Sequence, residues 1–241
     1  MAYPVTITAK EGEQYSAYAS TNQVYPIGTK MQFADGRRYR FVENGGATLV
    51  VGDVLEQAAP EANHVTQACT ANASGARSPV NTLGATAAVK NVYQEGYLCI
   101  VTTPGGGELY VIGDHAAVDS GAAITTNLAP GHAIRTALTS SSKFSLHKNP
   151  YRDVIQAPTT STSSCVGIAV KALTSGQHGW VQTGGTAVVL ASGTVVIGDR
   201  VVRLVATAGA AGPAANDIQP DIGQVIEVGN TWFVCHLTLP D

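Results

Sequence analysis

The chain has 241 residues, and its 14 basic and 17 acidic side chains make up 13 % of them, about half the share of a typical soluble domain. A net charge of −3 together with 44 % hydrophobic residues excludes a disordered chain, because disorder combines few apolar residues with high net charge. The sequence also contains neither a basic stripe with interleaved aromatic residues, which nucleic-acid binding requires, nor an apolar run long enough to span a bilayer as a helix.

The N-terminal segment 1–26 places tyrosines among small polar residues. Its Tyr3, Tyr15, Tyr18 and Tyr25 each combine an apolar ring with a polar hydroxyl, which suits a contact surface. Two interpretations stay open for this segment: an arm laid over a neighbouring molecule, or an edge strand packed on its own domain. Its first eight residues lack the basic and apolar regions of a secretory signal, so we expect synthesis in the cytoplasm.

Two β-hairpins are predicted next. The first joins residues 29–34 to 37–43 through Asp35-Gly36, a dipeptide that favours the positive φ angles of a hairpin turn. The second covers residues 97–112 around the glycine-rich turn 104–107. The basic run that follows Asp35-Gly36 favours protection of a sheet edge over a phosphate contact.

Residues 52–59 fit two local structures. Asp53 can cap a short helix, with Glu56 three residues on and Pro60 beyond its end. A strand followed by a turn fits the same residues almost as well.

A four-residue pattern occurs three times, as Val50-Val51-Gly52-Asp53, Val111-Ile112-Gly113-Asp114 and Val196-Ile197-Gly198-Asp199. A β-branched pair before Gly-Asp is typical of a strand that ends in a turn, where glycine adopts an unusual φ and aspartate caps the next segment. The copies are unequally spaced, which excludes a solenoid or propeller repeat. We expect one turn to be reused in two or three related β units; metal binding by the aspartates would need converging oxygen ligands.

The last third of the chain has a regular strand–turn rhythm, which is typical of sandwiches and barrels. Six strands are expected there, at residues 166–173, 179–183, 186–190, 200–206, 222–228 and 231–239. The predicted fold class is therefore all-β, with small barrel or sandwich units and little helix. The predicted organisation is the N-terminal segment, a β domain over 27–157, a linker of Ser and Thr over 158–164, and a C-terminal barrel-like domain over 165–241.

The four cysteines, Cys69, Cys99, Cys165 and Cys235, are far apart and lie among apolar or small residues. Zinc sites and redox pairs need short spacings, so we predict buried free thiols.

No catalytic or metal-binding motif is found. No two histidines are spaced for a local metal pair. Gly113-Asp114-His115 with Asp119 has the residue types of an acid/base pair, but Asp119-Ser120-Gly121 is just as naturally a turn, and a chance match is favoured over an acid/base pair. We therefore predict a protein that is not an enzyme and has no metal site or cofactor. Trp180 and Trp232 lie in strand patterns that favour core or interface packing over a sugar-binding platform.

The weak charge of the chain suits a protein whose surface is covered by partners, because interface cores are depleted in charged residues. We therefore predict interface roles for Tyr3, Tyr15, Tyr18, Tyr25 and Trp180.

The C-terminal 75 residues resemble decoration (cement) proteins of tailed bacteriophages. The resemblance lies in the segments Cys165–Ala169, Gly179–Ala187, Val196–Val201 and Ile222–Ile226, which match a G-x-A strand, a G-W-V strand, a G-D-x-V turn and a returning I-G strand.

This resemblance implies a non-enzymatic structural protein of the virion. Such a protein binds the outer face of the capsid, often as a homotrimer, and its partner is the major capsid protein, with no nucleic acid or membrane involved. Two alternatives stay open: a tail or baseplate β protein, and a carbohydrate-binding or hydrolytic β-sandwich.

Overall fold

The computed structural model describes residues 6–203, 206–215 and 220–239, and almost all of its regular structure is β. Its strands are β1 (Thr6–Thr8), β2 (Ala17–Tyr18), β3 (Lys30–Gln32), β4 (Arg38–Glu43), β5 (Val54–Glu56), β6 (Gln67–Ala68), β7 (Val80–Thr82), β8 (Tyr97–Ile100), β9 (Leu109–Asp114), β10 (Ala123–Thr125), β11 (Asn127–Leu128), β12 (Lys143–His147), β13 (Ile155–Gln156), β14 (Cys165–Ala169), β15 (His178–Leu190), β16 (Arg200–Arg203), β17 (Ala211–Pro213), β18 (Asp221–Val228) and β19 (Trp232–Thr238). Two short 3₁₀ turns, Glu13–Tyr15 and Ala62–His64, complete the regular elements, and no helix in the described ranges is long and apolar enough to cross a membrane.

The chain forms two compact units, one from residues 1–59 with 150–241 and one from residues 60–149. This division differs from the predicted domains 27–157 and 165–241, because strands from both sides of the expected linker pair with each other. β14 pairs with β5, and β15 pairs with β4. The all-β prediction is confirmed, but the strands of 165–241 belong to this shared sheet, and no sheet among the described residues closes into a barrel.

Both predicted hairpins are present: β3 pairs with β4, and β8 pairs with β9. Residues 54–56 form β5, so the strand alternative is correct for this segment and the helix is not formed. Strand β4 lies between β3 and β15 in the sheet. The interpretation of its arginines as protection of a sheet edge is therefore wrong.

The strands expected in the last third are present, with two differences: β17 was not expected, and the strands expected at 179–183 and 186–190 form one strand, β15. Gly184 and Gly185, which separate the two predicted strands, both lie inside β15. Gly184 pairs with Arg38 of β4 and also with Thr238 of β19. β15 therefore passes from one set of partners to the next without reversing.

Each unit has its own core. In the first unit, Trp180 and Phe41 pack edge to face with ring centroids 5.1 Å apart, and both are fully buried. In the second unit, Tyr93, Tyr110 and Phe144 are the large buried aromatic residues. The sheet of this second unit has the strand order β11-β9-β8-β12-β6, and β10 pairs separately with β7.

The first unit contains one arrangement of strands twice. We name copy A residues 38–56, 154–157 and 165–184, and copy B residues 184–203, 211–214 and 221–238. In copy A, β5 pairs with β14 as Val54↔Ile168, Leu55↔Gly167 and Glu56↔Cys165, with a bulge before the last pair. In copy B, β16 pairs with β18 as Arg200↔Gln224, Val201↔Gly223 and Val202↔Asp221, with a bulge at the same place.

The other strands of the two copies correspond in the same register. The partner of Leu55 in β13 is Gln156, and the partner of the corresponding Val201 in β17 is Pro213. The isolated parallel bridge Asn44↔Val154 of copy A has its counterpart in Ala191↔Ala211 of copy B. Strand β15 belongs to both copies, since its first part ends copy A and its second part begins copy B.

Hydrogen bonds outside the strands repeat as well. The Gly52 amide donates to the Ala169 carbonyl (2.7 Å), and the Ala169 amide donates to the Asp53 carbonyl (2.9 Å). Gly198, Val225 and Asp199 make the same two bonds in copy B, at 3.0 and 2.9 Å. Agreement in pairing, bulge and turn identifies an internal duplication of one β module.

The second unit occupies one connection of this module. Copy B joins β16 to β17 through residues 204–210, whereas copy A joins β5 to β13 through residues 57–154, which include the whole of unit 60–149. The unit 60–149 is therefore an insertion into a loop of copy A.

Candidate interaction surface

The repeated Val-[Val/Ile]-Gly-Asp turn is the best-defined local structure shared by the two copies. In copy A, the Asp53 amide donates to the Val50 carbonyl (3.1 Å), and the Val50 amide donates to Asp53 Oδ2 (2.9 Å). Asp199 and Val196 make the same pair of bonds in copy B, at 3.0 and 2.9 Å. The expectation of a reused turn is confirmed for these two positions.

The middle occurrence of the pattern does not form this turn. Residues 111–114 lie inside β9, where Ile112 pairs with Leu128 and Asp114 with Asn127. The same four residue types are thus compatible with an uninterrupted strand when a neighbouring strand pairs with them.

Glycine is required at the third turn residue, because its φ is +88° at Gly52 and +91° at Gly198, a region that other residues rarely adopt. Aspartate at the fourth turn residue bonds back to the first. Burial raises the pKa of Asp53, against the effect of the bond from the Val50 amide, which lowers it.

Both turns expose their two apolar side chains. Val50 and Val51 are 52 % and 43 % exposed, and Val196 and Ile197 are 61 % and 66 % exposed. Because the aspartate of each turn accepts a bond from the turn's own backbone, the exposed tip of each turn consists of its two apolar side chains. We name these tips the A turn (Val50–Asp53) and the B turn (Val196–Asp199).

A groove of about 490 Å³ lies beside the A turn. Its lining includes Val51, Val188, Trp232, Tyr15 and Arg37. Three of these side chains, Val188, Trp232 and Tyr15, are between one third and just over half exposed. We call this feature the Trp232 groove; it is a concave, mainly apolar surface with aromatic walls.

The second half of β15 forms one side of this groove. Within the described ranges, residues 185–190 of β15 pair with β19 alone, whereas the corresponding strand of copy A, β4, carries β3 on its other edge. The side-chain amide of Gln182 donates to the Thr186 carbonyl (2.8 Å). The Gln182 side chain thus satisfies a backbone acceptor of β15 beyond the residues that pair with β4.

The A turn and the groove are in direct contact. The indole ring of Trp232 lies so close to the Gly52 backbone that a β-carbon at Gly52 would collide with it. Among the described residues other than its chain neighbours, none has an atom within 4 Å of the corresponding position at Gly198. The two turns are therefore alike in backbone but differ in what packs against them.

The predicted interface tyrosines have different surroundings. Tyr15 lines the Trp232 groove and is half exposed. Tyr18 and Tyr25 pack on Phe41, with ring centroids 5.9 and 5.4 Å from it. Burial raises the pKa of Tyr18 to about 12, and a hydrogen bond to Glu13 acts in the same direction. Tyr3 lies outside the described residues.

Trp180 was predicted to lie at an interface, but it is fully buried in the core of the first unit and cannot reach a partner. Trp232 also lies in a strand with apolar neighbours, but it lies at the surface. For residues 6–26, the structure shows the edge-strand alternative: β1 pairs in parallel with β3, and β2 pairs with β15.

A second cavity, of about 540 Å³, is lined in part by Glu56, whose side chain is fully buried. That carboxylate accepts bonds from Arg203 Nε (2.9 Å), from Ser161 Oγ (3.2 Å), and from the backbone amides of Thr162 (3.2 Å) and Ser163 (3.3 Å). The segment 158–164 is therefore a loop anchored on a buried charge, and not the linker that its composition predicts.

The four cysteines are free, as expected; Cys69 and Cys235 are buried, and Cys99 and Cys165 are half-buried. Burial raises the pKa of Cys69 to about 11 and that of Cys165 and Cys235 to about 12. Their thiols are therefore protonated at neutral pH.

The residues considered for acid/base chemistry have structural partners. His115 is buried; its Nδ1 bonds to the Ala116 carbonyl (2.8 Å), and its Nε2 accepts from the Tyr93 amide (3.1 Å). Asp114 accepts from the Asn127 side chain (2.6 Å). In the part of the chain that the structure describes, no three His, Cys, Asp or Glu side chains are grouped to hold a metal ion.

The exposed turns, the groove and the Glu56 anchor were not predicted as sites. The repeated four-residue pattern was a signal for the turns, but burial of its β-branched pair is the usual expectation. No sequence signal marks Glu56, whose partners are more than 100 residues away along the chain.

No family model matches the chain, and searches of curated proteins and of solved structures find no match.

Proposed function

We propose that this protein is a non-enzymatic structural protein that binds the outer surface of a tailed-phage capsid and stabilises contacts between major capsid subunits. The observation that carries the proposal is the pair of exposed apolar turns together with the Trp232 groove, on a chain with half the usual charge. Apolar, weakly charged surface is typical of the core of a protein interface. The resemblance of residues 165–241 to decoration proteins supports the choice of partner.

The low content of charged residues gives a second reason to propose that partners cover the surface of this protein. Exposed charges keep free monomers soluble and protect strand edges from pairing with other chains. Here, large apolar residues such as Val188 and Ile197 remain exposed on strands and turns. A homotrimer seated on a capsid covers such residues, and many copies of a modest interface add up through multivalency.

Co-sedimentation tests this proposal. The purified protein is mixed with expanded heads and with unexpanded heads assembled from the major capsid protein encoded alongside it. We expect saturable binding to expanded heads, and a trimer in solution by light scattering. A monomer that stays in the supernatant with both kinds of head would contradict the proposal.

Carbohydrate binding is the second candidate, and the Trp232 groove is the observation that favours it. Tyr15, Tyr39 and Trp232 give the groove aromatic walls, while Arg37 and Gln182 supply polar groups. Retardation of the protein on polysaccharide gels, abolished by Trp232→Ala, would favour this candidate over capsid binding.

A further inference from the structure

We propose that the Trp232 groove takes up an extended, uncharged peptide segment of the partner as an additional antiparallel strand on the edge of β15. The inference rests on the proposed function only in so far as the groove is an interaction surface, and it adds the form and the chemistry of what binds there. It follows from a comparison of one backbone position in the two copies, Phe41 in copy A and Val188 in copy B.

Phe41 and Val188 occupy the same place in the duplicated module. Each lies three residues before the residue that forms the isolated parallel bridge, which is Asn44 in copy A and Ala191 in copy B. Both belong to the strand that begins its copy, β4 for Phe41 and the second part of β15 for Val188.

In copy A, a neighbouring segment satisfies the outer backbone groups of Phe41. The Phe41 amide donates to the Thr29 carbonyl (3.0 Å), and the Phe41 carbonyl accepts from the Gly28 amide (2.8 Å). The chain then continues into β3, which pairs antiparallel with β4. This edge of the module is therefore one on which an extended segment fits.

In copy B, the same backbone groups face the groove. The Ala191 amide donates to the Thr231 carbonyl on the side of β19 (2.9 Å), and the Leu190 amide donates to the Gly52 carbonyl on the other side (3.0 Å). Because successive residues of an antiparallel strand direct their backbone groups to alternate sides, the amide and carbonyl of Val188 lie on the side of the Leu190 amide. Within the described ranges, no strand pairs with Val188 on that side and no hydrogen bond reaches these two groups.

Both ends of this open edge are closed by the chain itself. At one end, the Gly185 backbone lies against the turn of the first hairpin, so that a β-carbon at Gly185 would be 2.9 Å from the Arg37 α-carbon. At the other end, the A turn bonds to Leu190. The open stretch, residues 186–189, is about 13 Å long. A strand that belongs to a wide sheet, such as the edge of a second copy, would collide with these ends, whereas a single short peptide segment fits between them.

The lining of the groove determines the chemistry of the segment. Trp232 and Val51 lie beside the open edge, and aromatic and β-branched side chains form favourable pairs across strands. Arg37 is the charged residue among the described lining residues, and its guanidinium already bonds to Glu11 (2.8 Å) and Asp35 (2.7 Å). A charged side chain on the segment would lose hydration without gaining a partner. The segment is therefore uncharged and carries β-branched or aromatic side chains, while main-chain hydrogen bonds supply affinity.

Val188→Pro removes the backbone donor that an added strand needs. The amide of Val188 points away from β19, so proline leaves the pairing of β15 with β19 intact, and proline is tolerated where the N–H of a strand faces outwards. Val188→Ile keeps both the amide and a β-branched side chain. Val89→Ala alters an exposed valine of the unit 60–149 and is the control that should bind like the unaltered protein. Urea unfolding should show all three variants folded.

The probe is the peptide acetyl-Thr-Val-Thr-Val-Thr-amide, which is uncharged and favours an extended conformation. Trp232 emission and NMR hydrogen exchange of the Val188 amide are the readouts; Trp180 is fully buried and away from the groove lining. We expect a saturable change in emission and slower exchange at millimolar peptide. Val188→Pro should weaken binding by about fivefold or more relative to Val188→Ile, since at least one hydrogen bond is lost. The same peptide with N-methylated amides keeps its side chains but cannot donate, and it should have no effect.

Two results with the peptide would overturn the inference. One is unchanged emission and exchange at millimolar peptide, and the other is an equal effect of the N-methylated peptide. Retardation of the unaltered protein and Val188→Pro alike on polysaccharide gels, without a peptide effect, would assign the groove to a sugar instead.

Co-sedimentation with expanded heads separates this inference from the proposed function. Val188→Pro should bind heads about fivefold or more weakly than Val188→Ile. If both variants bind heads like the unaltered protein, the added strand is overturned and capsid binding stands. If the peptide binds as expected but the unaltered protein does not bind heads, capsid binding falls and the added strand stands.

Discussion

Removal of the Glu56 carboxylate is the change expected to destabilise the first unit most selectively. This fully buried carboxylate forms an ion pair with Arg203 and accepts hydrogen bonds from the backbone amides of Thr162 and Ser163. Glu56→Ala removes the acceptor of Arg203 Nε and of the two backbone amides and leaves the charge of Arg203, whose side chain is only 14 % exposed, without its ion-pair partner. Breaking a buried ion pair by removing one partner costs about 3–5 kcal/mol.

Urea unfolding followed by tryptophan emission measures this cost. Both tryptophans, Trp180 and Trp232, belong to the first unit, so the signal reports on that unit alone. With a slope of about 2 kcal/mol per M, the midpoint should fall by roughly 1.5–2.5 M. The control Glu227→Ala removes an exposed carboxylate of the same unit and should change stability by less than about 0.5 kcal/mol.

The isosteric variant Glu56→Gln separates charge from packing. It keeps the volume and one acceptor oxygen but loses the charge-assisted bond to Arg203, so we expect a loss of about 1.5–3 kcal/mol. If Glu56→Ala and Glu227→Ala have equal effects, the carboxylate does not anchor the loop 158–164, and our account of that loop is refuted.

Three further predictions follow from the duplication and from burial. Gly52→Ala and Gly198→Ala both place a side chain at positive φ, and Gly198→Ala should lower the free energy of unfolding by about 1 kcal/mol. Gly52→Ala should lower it further and shift tryptophan emission, because the added β-carbon meets Trp232. Equal losses without a spectral change would contradict that contact. Replacing residues 60–149 by a short hairpin loop, as copy B has, should leave the first unit folded, with cooperative unfolding by tryptophan emission as the assay; loss of that transition would contradict the insertion. The thiols, whose pKa burial raises, should react slowly with iodoacetamide at pH 8. Their contribution to stability should be complete below about pH 9 and be lost as the pH rises towards 12, since the unfolded chain then releases protons that the folded chain keeps; rapid labelling at pH 8 would contradict their burial.

Local features of the sequence predicted local structure well. The hairpin at Asp35-Gly36 and the turns at Gly52 and Gly198 depend on residues next to each other, whose backbone preferences are set by steric contacts within the turn. The third occurrence, at residues 111–114, shows the limit of such prediction. There, pairing with β11 holds the same residue types in an extended strand.

Long-range pairing was not predictable from local patterns. The segment 158–164 has the composition of a linker, yet its Ser and Thr residues and amides bond to Glu56, more than 100 residues earlier. Gly184-Gly185 has the composition of a turn, but partners on both sides keep β15 extended. The difference between Trp180 in the core and Trp232 at the surface likewise depends on which strands flank them.

The duplication explains why the expected domain boundary differs from the observed units. Copy A is interrupted by the insertion 60–149, so its strands lie far apart in sequence, and copy B is nearly continuous. A self-contained C-terminal domain is therefore what the local pattern predicts. The shared strand β15 joins the two copies into one sheet.

A cryo-electron microscopy reconstruction of expanded heads saturated with the protein tests the central claim most directly. Our account predicts additional density on the outer surface, in which the chain contacts the shell through at least one of its two exposed turns. Heads without such density after saturation, or density that contacts the shell through neither turn, would contradict it.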